Sequence, residues 1–243
     1  YYFSPTGGTK KVSGIFVDAM EKEVIWHDLG SKKPMMEKPE GEMIVIAAPV
    51  FGGRIPSVVR EKIEKLSGTG KKAVTIAVYG NRAYEDALLE MNDILMKCGF
   101  TVIASGAFVA QHSMAPEVGA GRPDGEDEKE IHKFAEFVKN STATENVHVP
   151  GNRPYKPELN MPVTPISLSS CTKCGKCVTI CPTNAISVAD GAVITDTEKC
   201  ILCMACTHVC TEQARIRPLP LQQKTEQMLG ALKGVRNKNE MFL

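Results

Sequence analysis

No stretch of this chain is apolar for long enough to cross a bilayer: the longest runs, such as Met43–Val50, are less than half of the ~20 residues a spanning helix needs. An excess of either charge is also missing. With 29 Lys and Arg against 28 Asp and Glu, the formal net charge is +1, so no bulk field argues for nucleic acid or an anionic membrane as partner. There is no Gly-Lys-Ser/Thr triphosphate loop. The nearest candidate, Gly68-Thr69-Gly70-Lys71-Lys72, follows a predicted helix and precedes a predicted strand, the reverse of the required order, and reads as a connector. No secretion signal is visible. The chain opens abruptly on Tyr1-Tyr2-Phe3, without an initiator methionine and with only half a strand, so further residues are expected ahead of Tyr1. What remains is ordinary for a globular protein: 43% hydrophobic, 23% charged and, at 243 residues, room for about two domains.

Cysteine, by contrast, is concentrated. Eight of the nine form two runs, Cys171-x-x-Cys174-x-x-Cys177-x-x-x-Cys181-Pro182 and Cys200-x-x-Cys203-x-x-Cys206-x-x-x-Cys210-Thr211. The second copy lies 29 residues after the first, and Ala185 recurs at the same offset as Ala214. Three thiolates at such short intervals let one loop wrap three corners of an iron–sulfur cube, while the fourth points away from it. Paired Cys-x-x-Cys motifs also make tetrahedral zinc sites, but zinc needs only four ligands and leaves the third cysteine of each run unexplained. Chain length and the unpaired ninth cysteine, Cys98, count against a disulfide framework. Cys203-Met-Ala-Cys206-Thr-His208 is one residue too long for haem attachment.

With these spacings, the stretch from about Ile166 to Arg217 resembles a bacterial two-cluster ferredoxin. The resemblance implies two [4Fe-4S] clusters with crossed ligation. The first would take Cys171, Cys174, Cys177 and Cys210, and the second Cys200, Cys203, Cys206 and Cys181. Both runs would then clamp both clusters, and neither would fold alone. Thr211 departs from the pattern, standing where the family usually has proline, so a backbone N–H becomes available near the cluster that Cys210 serves. Eight such thiols point to a reducing cytoplasm and to an anaerobic or low-oxygen host.

The first half alternates strands with helices. After the Tyr1 stub come a helix from Thr9 to about Lys22, strands at Glu23–Asp28 and Met43–Val50, and a helix from Pro56 to Leu66. A strand at Ala73–Tyr79, a helix from Ala83 to Lys97, a strand at Val102–Val109 and a helix at Glu126–Asn140, capped by Asp124, complete it. That alternation predicts a doubly wound parallel sheet, whose ligands sit beyond the carboxyl ends of the strands. Three loops lie there: Ser4–Thr9, Pro49–Arg54 and Tyr79–Tyr84. The first, with hydroxyls and glycines leading into a helix, is an anion cradle. The other two set an aromatic beside a glycine, which suits a flat heterocycle.

Residues 1–140 resemble flavodoxin, and the whole chain resembles the flavodoxin–ferredoxin fusion proteins of anaerobic bacteria. The expected fold is therefore an α/β flavodoxin-like doubly wound sheet followed by a small α+β two-cluster ferredoxin domain. The resemblance implies FMN. Ser4, Thr6, Gly7, Gly8 and Thr9 match the phosphate loop; Pro49, Phe51, Gly52 and Gly53 match the loop against the isoalloxazine, with Gly52 near its N5 edge. Tyr79, Gly80, Asn81 and Tyr84 match the loop on the other side. Phe51 and Tyr84 are equally readable as packing aromatics, and Arg54 and Arg82 as solvated loop charges or as cations facing the second half. Trp26 reads as core, and Cys98 as a buried apolar residue. His112, in the irregular stretch 111–123, is either a proton donor to the flavin or a loop anchor.

Between the halves, residues 141–165 hold five of the fifteen prolines and read as a semi-rigid extended linker. Beyond the ferredoxin-like stretch (166–217), residues 218–243 contain a predicted helix around Gln222–Leu232, able to pack back on the first half, then a polar basic tail. The expected function is electron transfer between FMN and two [4Fe-4S] clusters, between unidentified donor and acceptor proteins, with no catalytic acid or base, no nucleic acid and no membrane insertion. The enzymatic alternative is a small flavin reductase using NAD(P)H or an organic substrate. The absence of a Gly-x-Gly-x-x-Gly after a strand counts against that alternative without removing it.

Overall fold

The computed structural model describes residues 1–159 and 161–243. In chain order the first half runs α1 (Gly8–Met20), β1 (Met43–Pro49), α2 (Ser57–Ile63), β2 (Lys72–Tyr79), α3 (Ala87–Lys97), β3 (Thr101–Val109) and α4 (Gly125–Asn140). The three strands are parallel and lie in the order β1-β2-β3. Their side chains alternate between two cores, as a period of two requires. Ile44, Ile46 and Ala48 of β1 and Ala73 and Ala77 of β2 pack with Val59 and Ile63 of α2 and Leu88, Met91 and Leu95 of α3. On the other face, Ala47, Val74, Ile76 and Val78 pack with Val12 and Phe16 of α1 and Ile131, Phe134 and Val138 of α4. Burial on both faces explains why these strands read as continuous apolar runs.

The chain start completes the winding. Tyr2 N donates to His27 O at 2.9 Å and Phe3 N to Ala47 O at 3.0 Å, so the stub lies between residues 27–29 and β1. The resulting order reverses at the stub, the topological switch of the flavodoxin-like arrangement. The predicted strand Glu23–Asp28 is reduced to one bridge at Asp28, because nothing pairs with its outer edge among the described residues. Trp26 is a correction. It is 42% exposed and sits edge-on to Tyr2 at 5.4 Å rather than in the core.

From residue 166 the elements are short: β4 (Ile166–Ser167), α5 (Lys176–Ile180), β5 (Ile186–Ala189), β6 (Ala192–Thr195), α6 (Ala205–His208), β7 (Arg215–Ile216), α7 (Leu219–Leu229) and β8 (Glu240–Phe242). β4 pairs with β7 and β5 with β6, both antiparallel. The β5–β6 turn is Asp190-Gly191, both at positive φ (49° and 71°), as a two-residue hairpin demands. Helix α7 starts three residues before the predicted Gln222, after Pro218 and with a proline in its first turn. Its Leu229 packs on Ala115 and Val118 of the first half.

The polar basic tail is not free. β8 adds to the first-half sheet as an antiparallel edge strand, pairing Glu240–Phe242 with Ser105–Ala107 of β3. Side-chain amides carry the approach to it. Asn81 Nδ2 donates to Val235 O at 2.8 Å, Asn237 Nδ2 to Asn81 O at 2.7 Å, and Val109 N to Asn239 Oδ1 at 2.8 Å. Arg236 pairs with Asp124 and the buried Arg122 with Asp127. Such contacts leave no apolar period to read, which is why the strand is invisible in the sequence.

The described residues of the predicted linker 141–165 form no helix or strand, and those from Asn146 to Glu158 are fastened to the first half. Asp86, Glu90 and Asp93 lie at i, i+4 and i+7 around α3, on one face. Asp86 accepts from Asn152 N at 2.8 Å and Lys156 N at 2.6 Å; Asp93 pairs with Arg153 and accepts from the Tyr155 hydroxyl at 2.5 Å. Glu90, only 1% exposed, takes Arg54 bidentately at 2.8 and 2.6 Å, and Arg54 donates its other nitrogen to Lys156 O at 2.6 Å. Arg54 is therefore neither a solvated charge nor a cation facing the second half, and Arg82 is spent on Glu85 at 2.7 Å. Removing one partner of a buried pair costs about 3–5 kcal/mol. Glu90→Ala is accordingly expected to lower the unfolding free energy measured in urea by that order and to open the 152–158 stretch to limited proteolysis.

Candidate functional site

The carboxyl ends of β1, β2 and β3 open into a cavity of about 820 Å³, within the range that holds cofactors. Its floor is the three loops singled out by the sequence. Ser4, Thr6, Gly8 and Thr9 line one end, where α1 begins with Gly7 as its N-cap at φ 92°, no side-chain cap and no acidic residue in the first turn. That leaves amide groups and the positive end of the helix facing the cavity mouth, with Ser4 Oγ ordered by Lys10 N at 2.9 Å. Pro49, Phe51 and Gly52 line one side, Tyr79 and Gly80 another. Glycine is required at 80: a Cβ there would stand 2.3 Å from His112 Cδ2. At Gly52, φ is 62° and a Cβ would meet Leu159 at 2.7 Å.

Four of the sequence candidates are not among the lining residues. Gly7 stays at the helix cap, and Gly53 backs onto Glu85. Asn81 and Tyr84 hold the C-terminal tail instead, Tyr84 through its hydroxyl to Glu240 at 2.5 Å, with burial the larger cause raising its pKa and the carboxylate adding to it. Conversely, apart from the return of α7 onto the first half, the roof is not expected from the sequence. It comes from Leu159, Met161 and Pro162 of the linker, from Thr197, Glu198, Cys200, Ile201 and Leu202, and from Thr225, Met228 and Leu229 of α7. No local pattern marks contacts between segments so far apart in sequence. The one available hint is filler: Ile201, Leu202, Met204 and Ala205 are apolar where the first run has Thr172, Lys173, Gly175 and Lys176.

His112 lines the cavity and anchors its own loop. Its Nδ1 accepts from Met114 N at 3.1 Å, which puts the proton of the neutral ring on Nε2. Burial, helped by Arg217 and Arg82, pushes its pKa down to about 4.

The cysteine runs fold as two copies of one turn. Left-handed backbone recurs 29 residues apart at Lys173 and Leu202, at Gly175 and Met204, and at Asn184 and Gln213. Each run then enters a short helix, α5 or α6. Turns of this kind point successive amides inward and make anion-binding concavities. Cys181, from the first run, lines the same small cavity as Cys200, Cys203 and Cys206. Burial pushes the Cys203 thiol up to about 12, and the neighbouring Cys206, Cys181 and Cys200 add to it. A bound metal inverts that, since a coordinating thiol is deprotonated outright. Cys98 is remote from these sites, its Sγ 3.6 Å from the carbonyls of Ile63 and Glu64. Thr211 receives a contact across the runs, from Lys176 Nζ at 3.4 Å.

Comparison with known proteins identifies the cysteine runs. Residues 164–187 and 197–213 each match a family described as 4Fe-4S binding domain, which sets the zinc reading aside. Among curated proteins, the aliphatic sulfonate oxidoreductase, polyferredoxin-like subunit of Pyrococcus furiosus is 45% identical over 58 residues, 22% of this chain and 30% of that protein. An uncharacterized ferredoxin-like protein of Haemophilus influenzae is 36% identical over 67 residues, 25% of this chain and 78% of that protein. The chain thus spans about a third of the first relative's length. Among solved structures, oxidised Flavodoxin 1 from Bacillus cereus covers 58% of this chain and 96% of its own at 19% identity, with a TM-score of 0.43. The flavodoxin of Streptococcus pneumoniae TIGR4 covers 56% and 92% at 17% identity, with a TM-score of 0.41. No helix among the described residues is long and apolar enough to cross a membrane.

The depressed His112 pKa has a testable consequence. The unfolded ring takes a proton near its ordinary 6.5 and the folded one only near 4, so the stability it contributes is full above 6.5 and lost as the pH falls towards 4. Nitrogen-edited NMR is expected to show His112 as the neutral Nε2–H tautomer from pH 8 to about 5. A ring that titrates near 6.5 counts against this environment.

Proposed function

We propose that this chain, which belongs to the 4Fe-4S ferredoxin family, is an electron carrier in which FMN and two [4Fe-4S] clusters exchange electrons within one molecule. The observation that carries the reading is a shared wall. Cys200, Ile201 and Leu202 line the large cavity on one side and the cysteine-lined cavity on the other. A flavin in the first would therefore be separated from a cluster in the second by one turn of chain. Bound clusters pass single electrons, and bound FMN accepts one or two, so the pair joins one-electron to two-electron carriers.

The chain's own residues have binding and orienting roles here. Amides of Thr6–Thr9 and the hydroxyls of Ser4, Thr6 and Thr9 would hold the phosphate. Phe51 and Gly52 on one side and Tyr79 and Gly80 on the other would flank the ring. Leu159, Met161, Ile201, Leu202 and Met228 would keep water from it. Cys181, Cys200, Cys203 and Cys206 would hold the inner cluster. Cys171, Cys174, Cys177 and Cys210 would hold the outer one, where Cys174 and the neighbouring Lys173 and Lys176 are exposed to solvent and to redox partner proteins. The fastened linker and the tail strand support one fixed arrangement rather than a swinging domain, so transfer runs at the high effective concentration of an intramolecular step. Eight cluster thiols suit a reducing cytoplasm.

Anaerobic purification with metal, sulfide and flavin assays is expected to give about eight irons and one FMN per chain. Iron without flavin would confine the function to the ferredoxin half, and rapid bleaching on mixing with NADH or NADPH would turn it towards a reductase. Two variants test the geometry. Cys181→Ala should remove about half the iron, and the EPR signal that survives should be that of the outer cluster. Ile201→Lys should keep about eight irons while weakening FMN binding by about tenfold in a fluorescence titration. Unchanged affinity there would remove the shared wall.

A further inference from the structure

The internal repeat breaks at one buried position. Ile186 follows Ala185 in the first copy, and 29 residues later Arg215 follows Ala214 in the second. Ile186 is 5% exposed and packs in an apolar cluster with Cys181 and Cys206. Arg215, at 4% exposure, brings a permanent positive charge to the equivalent place. No carboxylate pairs with it among the described residues. Its Nη1 donates to Ser167 Oγ at 3.1 Å and its Nη2 to Thr195 Oγ1, while its Nε is buried without any hydrogen-bond partner.

Two neutral hydroxyls do not balance a buried guanidinium, and an unpartnered buried charge is strongly disfavoured. An anion is needed, and the groups within reach are cysteines. Thr195, the hydrogen-bond partner of Arg215, lines the cavity with Cys181, Cys200, Cys203 and Cys206. A cubane core with two positive charges held by four thiolates is a dianion, and taking up one electron makes it a trianion.

We infer that Arg215 is the counter-ion of the cluster held by the inner cysteine set: hydrogen-bonded to Thr195 on the wall of that cavity, it offers its unpartnered Nε–H to a cluster sulfur, and its charge favours the reduced state. This rests on the iron–sulfur half of the proposed function and is independent of FMN. The break in the repeat then has a physical purpose. One buried apolar residue is replaced by a fixed cation where electrons arrive, and hydrogen bonding and nearby charge are established levers on cluster potential.

The test is a potentiometric titration of the anaerobically loaded full chain, with the electrode supplying one electron per cluster and EPR reporting the reduced fraction. Arg215→Met and Arg215→Gln remove the charge; Arg215→Lys keeps it and loses the planar Nε–H. At the potential that half-reduces the wild type, the neutral variants should show a reduced-to-oxidised ratio lower by about tenfold, a downward shift of about 59 mV for one electron. The lysine variant should recover most of that. A neutral variant with about eight irons and an unshifted titration overturns the inference. If neither neutral variant loads iron, Arg215→Lys decides: about eight irons there uphold the counter-ion role, and loss of iron there too overturns it in favour of packing alone. A wild type that loads iron but no FMN refutes the flavin reading and leaves this titration valid.

Discussion

The arrangement of the two halves depends on a row of buried carboxylates. Asp86, Glu90 and Asp93 project from one face of α3 and its cap, and each is met by the linker or by a residue that holds the linker. Burial alone would push the Asp86 and Asp93 carboxyls up, but hydrogen bonds from the backbone of Lys156 and Asn152, and from Arg153 and Tyr155, pull harder and leave both below the ordinary value. Such carboxylates stabilise the fold above their unfolded pKa, and that contribution is lost as the pH falls through the folded value. The row therefore ties interdomain order to ionised acids. A Pro-rich segment unattached to it would be a semi-rigid spacer, with the clusters at an indefinite distance from the cavity.

The tail acts from the opposite side. The chain leaves the first half after α4, forms the cysteine-rich region, and returns as β8 on the edge of β3. The second half is thus held at both ends rather than appended at one. An open edge of β3 would also present unpaired backbone groups, and β8 covers part of it. Asn81 serves this closure from the loop after β2, one residue from Gly80 on the cavity wall. Cavity and closure are built on the same loop, so disturbance of the tail reaches the cavity through only one or two peptides.

Most of the frame was legible because it is local. β1, β2 and β3 announce themselves as apolar runs, α4 by the Asp124 capping box, and the cluster turns by cysteine spacing. The floor of the cavity was legible for the same reason: loops at strand ends are found once the strands are. Three things were not. Trp26 reads as core because its presumed edge strand lies away from the ligand loops, yet among the described residues that strand has no outer partner to bury it. β8 has three residues and is held by Asn, Arg and Tyr side chains, so it carries no hydrophobic period. The return of α7 is expected, but the rest of the roof assembles from Leu159, Met161 and Pro162 with Thr197–Leu202, and no neighbouring residues encode that meeting.

The roof does, however, make sense of a difference between the two cysteine runs. Their backbones are alike, down to the left-handed residues 29 positions apart, yet their fillers differ in kind. Lys173 and Lys176 are exposed, while Met204 and Ala205 are buried and Ile201 and Leu202 are half-buried. Identical turns need identical cysteines but not identical surroundings. A run that packs against the first half must shed its charges, since buried lysines without partners are costly, and a run that faces solvent is free to keep them. The repeat has therefore diverged along the axis of the molecule, with an apolar inner turn against the cavity and a basic outer turn at the surface. Arg215 is a charge kept inside the cysteine-rich half, hydrogen-bonded to Thr195 on the wall of the cavity that the inner cysteines line.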